Sequence, residues 1–169
     1  MLDNIEVFTH SSIRIKDEAR AIYIDPFQMK DTPHDADYVF ITHSHSDHFS
    51  LDDIRKVIKS STILVVPTKM EDDARELSTE VKSIIPLKPG IYKELSGLEV
   101  ETIPAYNTVK PFHPKRAEWL GYILRIDGKG SISQEIPAQQ KKQSRSDVIS
   151  HLSLLEEHIP WMQKERQNL

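Results

Sequence analysis

Seven consecutive residues, Thr42-His43-Ser44-His45-Ser46-Asp47-His48, place three imidazoles and a carboxylate within six positions. Neutral imidazole and carboxylate are the ligands taken by borderline divalent cations such as zinc, which in catalytic sites keeps one position open to water. His43 and His45, two apart, can point the same way, while the adjacent Asp47 and His48 can reach the other side of the same cavity. Four ligand-capable groups so arranged suit two metals sharing a bridging hydroxide. The competing reading is a polar surface loop that happens to be rich in histidine. That reading fits isolated residues among His10, His34, His113, His151 and His158 better than it fits the cluster.

The flanks of the cluster supply the positioning elements. Tyr38-Val39-Phe40-Ile41-Thr42 is β-branched and aromatic and predicts a buried strand. Ser50-Leu51-Asp52-Asp53 is a capping box in which Ser50 accepts from the amide of Asp53 and the Asp53 carboxylate answers back. Ile54, Val57 and Ile58 follow at helical spacing, so the four candidate ligands sit on a tight strand-to-helix loop. Further along, Thr62 to Val66 predicts a strand closed by Pro67, Glu71 to Leu77 a helix, and Ser83-Ile84-Ile85 a strand. Pro89-Gly90 predicts a turn. Segments 91–95 and 98–103, joined at Ser96-Gly97, predict a hairpin, and Trp119 to Ile126 a last strand ending at Asp127-Gly128.

The motif and its context resemble the metallo-β-lactamase superfamily, and more narrowly the small metal-dependent hydrolases grouped with L-ascorbate-6-phosphate lactonase. Phe8-Thr9-His10-Ser11-Ser12-Ile13-Arg14-Ile15 is similar to the opening strand and turn of that group, and Ile22-Tyr23-Ile24-Asp25-Pro26-Phe27 to the strand that follows. Ile103-Pro104-Ala105-Tyr106-Asn107, Phe112-His113-Pro114-Lys115 and Trp119-Leu120-Gly121-Tyr122-Ile123-Leu124 resemble the segments around the next ligand position. The resemblance covers residues 1 to about 129. It implies an α/β fold, the first half of an αβ/βα sandwich.

Composition is consistent with one domain. The chain has 169 residues, net charge −4 and no cysteine, so disulfides and thiolate ligands are excluded and nothing attracts nucleic acid generally. No apolar run approaches membrane-spanning length, and no secretory signal follows the acidic Met1-Leu2-Asp3-Asn4. A cytoplasmic protein acting on a small molecule, of unspecified oligomeric state, is the expectation.

After Lys129 the chain changes character. Segment 134–146 carries four glutamines and no large apolar residue after Ile136. The resemblance requires here a strand leading to Gly-Asp-Thr, whose aspartate bridges the two metals, and that aspartate is missing. Regrouping the codons from each third base permits Gly-Asp-Thr at Gln134-Glu135-Ile136. It forces Asp from Trp161-Met162 and Ala from Met162-Gln163. Residues 130–169 are therefore expected to be a frame-shifted, aberrant tail, disordered or helical, with an amphipathic stretch over Asp147 to Gln163 and no strand to replace the missing half, leaving the sheet near Ile123 and Leu124 poorly covered.

The resemblance implies His43 and His45 on one metal, Asp47 and His48 on the other, and a hydroxide attacking an ester, lactone or phosphodiester. Asp47 is the candidate catalytic carboxylate. The ion is zinc, one or two, with manganese or iron(II) as alternatives. The third ligand of the first metal is a histidine in the group where this chain has Asn107, so His113 substitutes or Asn107 binds substrate. Lys110 and Lys115 are candidate anion contacts, though solvated loop lysines fit as well. His10 and Asp25 are expected to support the ligands from behind, and Asp25 before Pro26 reads equally as turn chemistry. With the bridging carboxylate missing, the alternative is an inactive remnant that binds one metal with little or no hydrolysis.

Overall fold

Two β-sheets face each other, and the residues between them alternate with residues that point the other way. The computed structural model describes residues 5–16, 19–105, 115–126 and 131–134. The first sheet has the order β1 (Ile5–Val7), β2 (Ile13–Lys16), β3 (Ala21–Ile24), β4 (Tyr38–Phe40), β5 (Ile63–Pro67) and β6 (Ser83–Leu87). β1, β2 and β3 pair antiparallel, and β3 to β6 run parallel. Parallel strands need crossover connections. The one from β4 to β5 carries the histidine loop and helix α1 (Leu51–Val57); the one from β5 to β6 carries α2 (Glu71–Ala74), continued as a 3₁₀ turn over Arg75–Leu77.

The second sheet is an antiparallel meander in the order β10 (Ser131–Gln134), β9 (Leu120–Ile126), β8 (Leu98–Pro104) and β7 (Tyr92–Leu95). Ser96 and Gly97, at φ 53° and 82°, make the two-residue turn between β7 and β8. Residues with φ > 0 at both positions match the right-handed twist of the strands they join.

Strands β3 to β5 are apolar on both faces because both are covered. Ile22, Ile24, Tyr38, Phe40 and Val65 face the second sheet and pack with Leu98, Val100, Leu120, Tyr122 and Leu124. Tyr23, Val39, Ile41, Leu64 and Val66 face outward and pack under Ile54, Val57, Met70, Ala74 and Leu77 of the helical layer. The described residues thus form helix, sheet and sheet layers of a partial metallo-β-lactamase-type sandwich. Among them no helix is long and apolar enough to cross a membrane.

Two sequence expectations are corrected. The sheet beside Ile123 and Leu124 was expected to lack cover, yet β10 pairs along β9, with Ile132 opposite Leu124 and Ser133 opposite Ile123. Backbone N–H and C=O groups make that ladder, so a short polar segment can complete an edge. The remaining tail, with its expected helix, His151 and His158, lies outside the described residues.

The second correction concerns Asp53. Ser50 caps α1 as expected, its hydroxyl accepting from Asp53 N. The Asp53 carboxylate, however, accepts from the amides of Gln28 (2.9 Å) and Met29 (3.0 Å), from Ser50 Oγ (2.9 Å) and from Lys56 Nζ (2.8 Å). It clamps α1 to the loop after β3. Burial alone raises its pKa, but Lys56, Ser50 and the two amides outweigh burial and hold it below the usual carboxylate range. Its stabilisation is therefore present above the unfolded pKa of about 3.9 and is lost as pH falls through the lower folded value. Asp53→Ala is expected to cost about 3 kcal/mol at neutral pH, since it orphans several donors to a charged acceptor. Urea midpoints at pH 7 and pH 3 should differ less in Asp53→Asn than in the parent chain.

Candidate metal centre

The C-terminal ends of parallel strands are where ligands bind in α/β sheets, because the loops there converge on one crevice. β3 and β4 end side by side, Ile24 paired with Phe40. Asp25 and Thr42 lie just beyond them.

Asp25 is fully buried and organises the crevice. Its Oδ1 accepts from Thr42 N (2.8 Å) and its Oδ2 from Thr42 Oγ1 (2.6 Å) and His48 Nδ1 (2.7 Å). Its φ of 46° places it in the left-handed region, which Asp tolerates better than most residues and which swings the carboxylate from the strand end towards β4. Asp25 is thus a left-handed turn residue whose carboxylate accepts from both Thr42 and His48. Asp25, His43 and His48 carry ligand-capable atoms within 4.8 Å of one another. Three donors already occupy the Asp25 oxygens, one of them His48 Nδ1.

Hydrogen-bond direction fixes the histidines. The Thr42 hydroxyl has one proton, which goes to the acceptor-only carboxylate, so its oxygen accepts from His43 Nδ1 at 2.9 Å. His43 Nε2 is then the lone-pair nitrogen, and it lies 3.1 Å from His45 Nδ1. Two ligands of a tetrahedral zinc at 2.0–2.1 Å sit about 3.3 Å apart. The contact is an N–H···N hydrogen bond donated by His45 Nδ1, and loss of that one proton leaves two lone pairs at close to that separation. His48, with Nδ1 on Asp25, turns Nε2 to within 3.7 Å of Asp47 Oδ2. The rings of His43 and His48 lie 3.9 Å apart between centroids, their planes tilted by 43°.

Burial grades outward: His43 and His48 are buried, His45 and Asp47 half-buried. Burial lowers the His48 pKa, but the charge and hydrogen bond of Asp25 and the charge of Asp47 outweigh it, so the net shift is upward. The second sheet closes the inner side. Tyr122 OH donates to Ile41 O (2.8 Å), and Leu120 N to Thr42 O (3.0 Å). Burial, and then the charge of Asp25, raise the Tyr122 pKa well above its ordinary value.

On the one loop the structure pairs His43 with His45 and Asp47 with His48, while the three ligand atoms that converge among the described residues are those of Asp25, His43 and His48; the His48 and Phe49 amides both donate to His45 O. Asn107, Lys110 and His113 lie outside the described residues, as does the side chain of Lys115. His10 is exposed and packs edge-on against Phe27 at 5.3 Å. Sequence reasoning missed Thr42 and Trp119 as parts of the site. A hydroxyl immediately before the first histidine was a usable signal for Thr42; Trp119, 4.9 Å from the rings of both His43 and His45, gave none, because it arrives from the other sheet.

Residues 9–132 match the family described as the Beta-lactamase superfamily domain. No curated protein matches the chain. Among solved structures, a protein of Parabacteroides distasonis described as a metal-dependent hydrolase superposes with a TM-score of 0.61 and 28% identity, over 76% of this chain and 58% of that one. A metallo-hydrolase of the archaeon Ignicoccus hospitalis gives 0.55 and 22%, over 76% and 57%. The diiron β-hydroxylase CmlA of Streptomyces venezuelae gives 0.60 and 17%, over 76% and 28%. The chain thus spans under three fifths of the length of each.

Proposed function

The chain belongs to the β-lactamase superfamily domain family, and on that basis we propose a metal-dependent hydrolase acting on an ester, lactone or phosphodiester of a small molecule in the cytoplasm. The carrying observation is the convergence of His43 Nε2 and His45 Nδ1 to 3.1 Å. These two hold the first ion, and Asp47 and His48 reach towards a second. The all-N/O donor set suits zinc, with manganese or iron(II) as alternatives, and the similarity to a diiron protein keeps iron in the set. A bound divalent ion supplies Lewis acidity, which acidifies water and stabilises charge developing on the electrophile.

The chain's own residues prepare that chemistry. Thr42 holds the His43 proton on Nδ1, and Asp25 holds that of His48 on Nδ1, so each ring offers Nε2 to the cavity. Asp47, with 28% of its side chain exposed, is the candidate catalytic carboxylate, its Oδ2 lying 3.7 Å from His48 Nε2. In this reading His113 completes the first ligand set, or Asn107 binds substrate. The altered segment 130–169 remains a proposed frame-shifted tail. The remnant reading is not favoured, since the family match runs through the ligand loop and on past β9.

Turnover of a carboxylic ester, a lactone and bis(p-nitrophenyl) phosphate tests the proposal. At least one is expected to be hydrolysed, with loss of activity in a chelator and recovery on adding zinc, manganese or iron(II). Chelator-resistant turnover, or none with any of these metals, would overturn it.

A further inference from the structure

We propose that Trp119 is a positioning residue for the His43–His45 pair, its indole being the wall that sets where the two ring nitrogens converge. This rests on reading those histidines as ligands. The three rings form a nearly equilateral triangle: 4.5 Å from His43 to His45, and 4.9 Å from Trp119 to each. The indole is tilted 46° to His43 and stands 76° to His45. The indole is in ring contact with both imidazoles. Indole offers an N–H donor and no ligand atom, so its place beside two candidate ligands is one of orientation.

The backbone registers the indole to the same strand end as the histidines. Trp119 O accepts from Ala105 N at 2.9 Å, and the next residue, Leu120, donates to Thr42 O at 3.0 Å. Thr42 precedes His43 directly. On the other side Glu118 has φ 50°, a left-handed conformation that a glutamate rarely adopts and that turns the chain from the 3₁₀ segment Lys115–Ala117 into β9. Strain of this kind persists where the surrounding structure requires a particular side-chain placement. His43 has a hydrogen bond from Nδ1 to fix it from behind. The half-buried His45 packs against both the indole and His43.

Cobalt(II) is the probe, because its visible absorption reports coordination geometry and it quenches nearby indole fluorescence. Trp119→Leu is expected to bind cobalt about tenfold more weakly, the lower end of what loss of an orienting partner costs, with an altered spectrum; Trp119→Phe should restore most of both. A Trp119→Leu chain with the parent's melting temperature, affinity and spectrum would overturn the proposal. Trp161→Phe, which leaves Trp119 as the sole tryptophan, gives an arm that leaves the site intact. One equivalent of cobalt should quench its fluorescence, and stoichiometric binding without quenching would also overturn the proposal. If the unaltered chain binds no cobalt, the ligand reading falls as well.

Discussion

A chain carrying both His43→Ala and His45→Ala is expected to take up no zinc at concentrations that saturate the parent. The two nitrogens converge to 3.1 Å, so both substitutions empty the same edge of the coordination sphere. Removing partners that merely orient a ligand costs roughly 10–100-fold in affinity, and removing two ligands must cost more. Asp47 and His48 remain, 3.7 Å apart, and could retain weak binding. Calorimetric titration of both proteins checks this, with circular dichroism to confirm that the variant is folded, because His43 is buried and its truncation leaves a cavity. Equal affinity in the two chains would remove these histidines from the site.

The second large effect is expected at Asp25. Asp25→Ala leaves three buried donors without their acceptor, namely Thr42 N, Thr42 Oγ1 and His48 Nδ1. At 1–3 kcal/mol per orphaned group, partly relieved by rearrangement, the loss is about 3–5 kcal/mol. Asp25→Asn keeps the shape and tolerates φ 46°. Its amide cannot accept at both positions, so His48 loses its fixed tautomer and metal affinity should fall about 10–100-fold.

The pH dependence of the metal-free chain follows from the same pair. The net rise in the His48 pKa means that the charged His48–Asp25 contact contributes fully below the unfolded pKa of about 6.5 and is lost as pH rises through the higher folded value. With chelator present, the parent's urea midpoint should fall from pH 6 to pH 9 more than that of Asp25→Asn. Bound metal reverses the sense, since an ion needs His48 Nε2 unprotonated.

What could be read in advance was local in sequence. The histidine loop between β4 and α1, the Ser50 cap and the Ser96-Gly97 turn each depend on residues within a few positions, and each lies where expected. Long-range partners were legible only as types. Asp25 reaches Thr42 and His48 across a parallel strand pair, and its role became definite only when β3 and β4 were placed together. The Asp53 carboxylate keeps a local partner in the Ser50 hydroxyl and also reaches the amides of Gln28 and Met29, which no local pattern announced. Trp119 belongs to the second sheet, and periodicity says nothing about which strand end it meets. The polar composition of Ser131–Gln134 concealed β10, whose pairing is made by backbone alone.

The most direct test of the central claim is zinc-edge anomalous diffraction from crystals of the unaltered chain grown with zinc. The account predicts a peak about 2.0–2.1 Å from both His43 Nε2 and His45 Nδ1, the ordinary zinc–imidazole distance. A peak on the Asp25 carboxylate or on tail histidines alone, or no peak between His43 and His45, would contradict it.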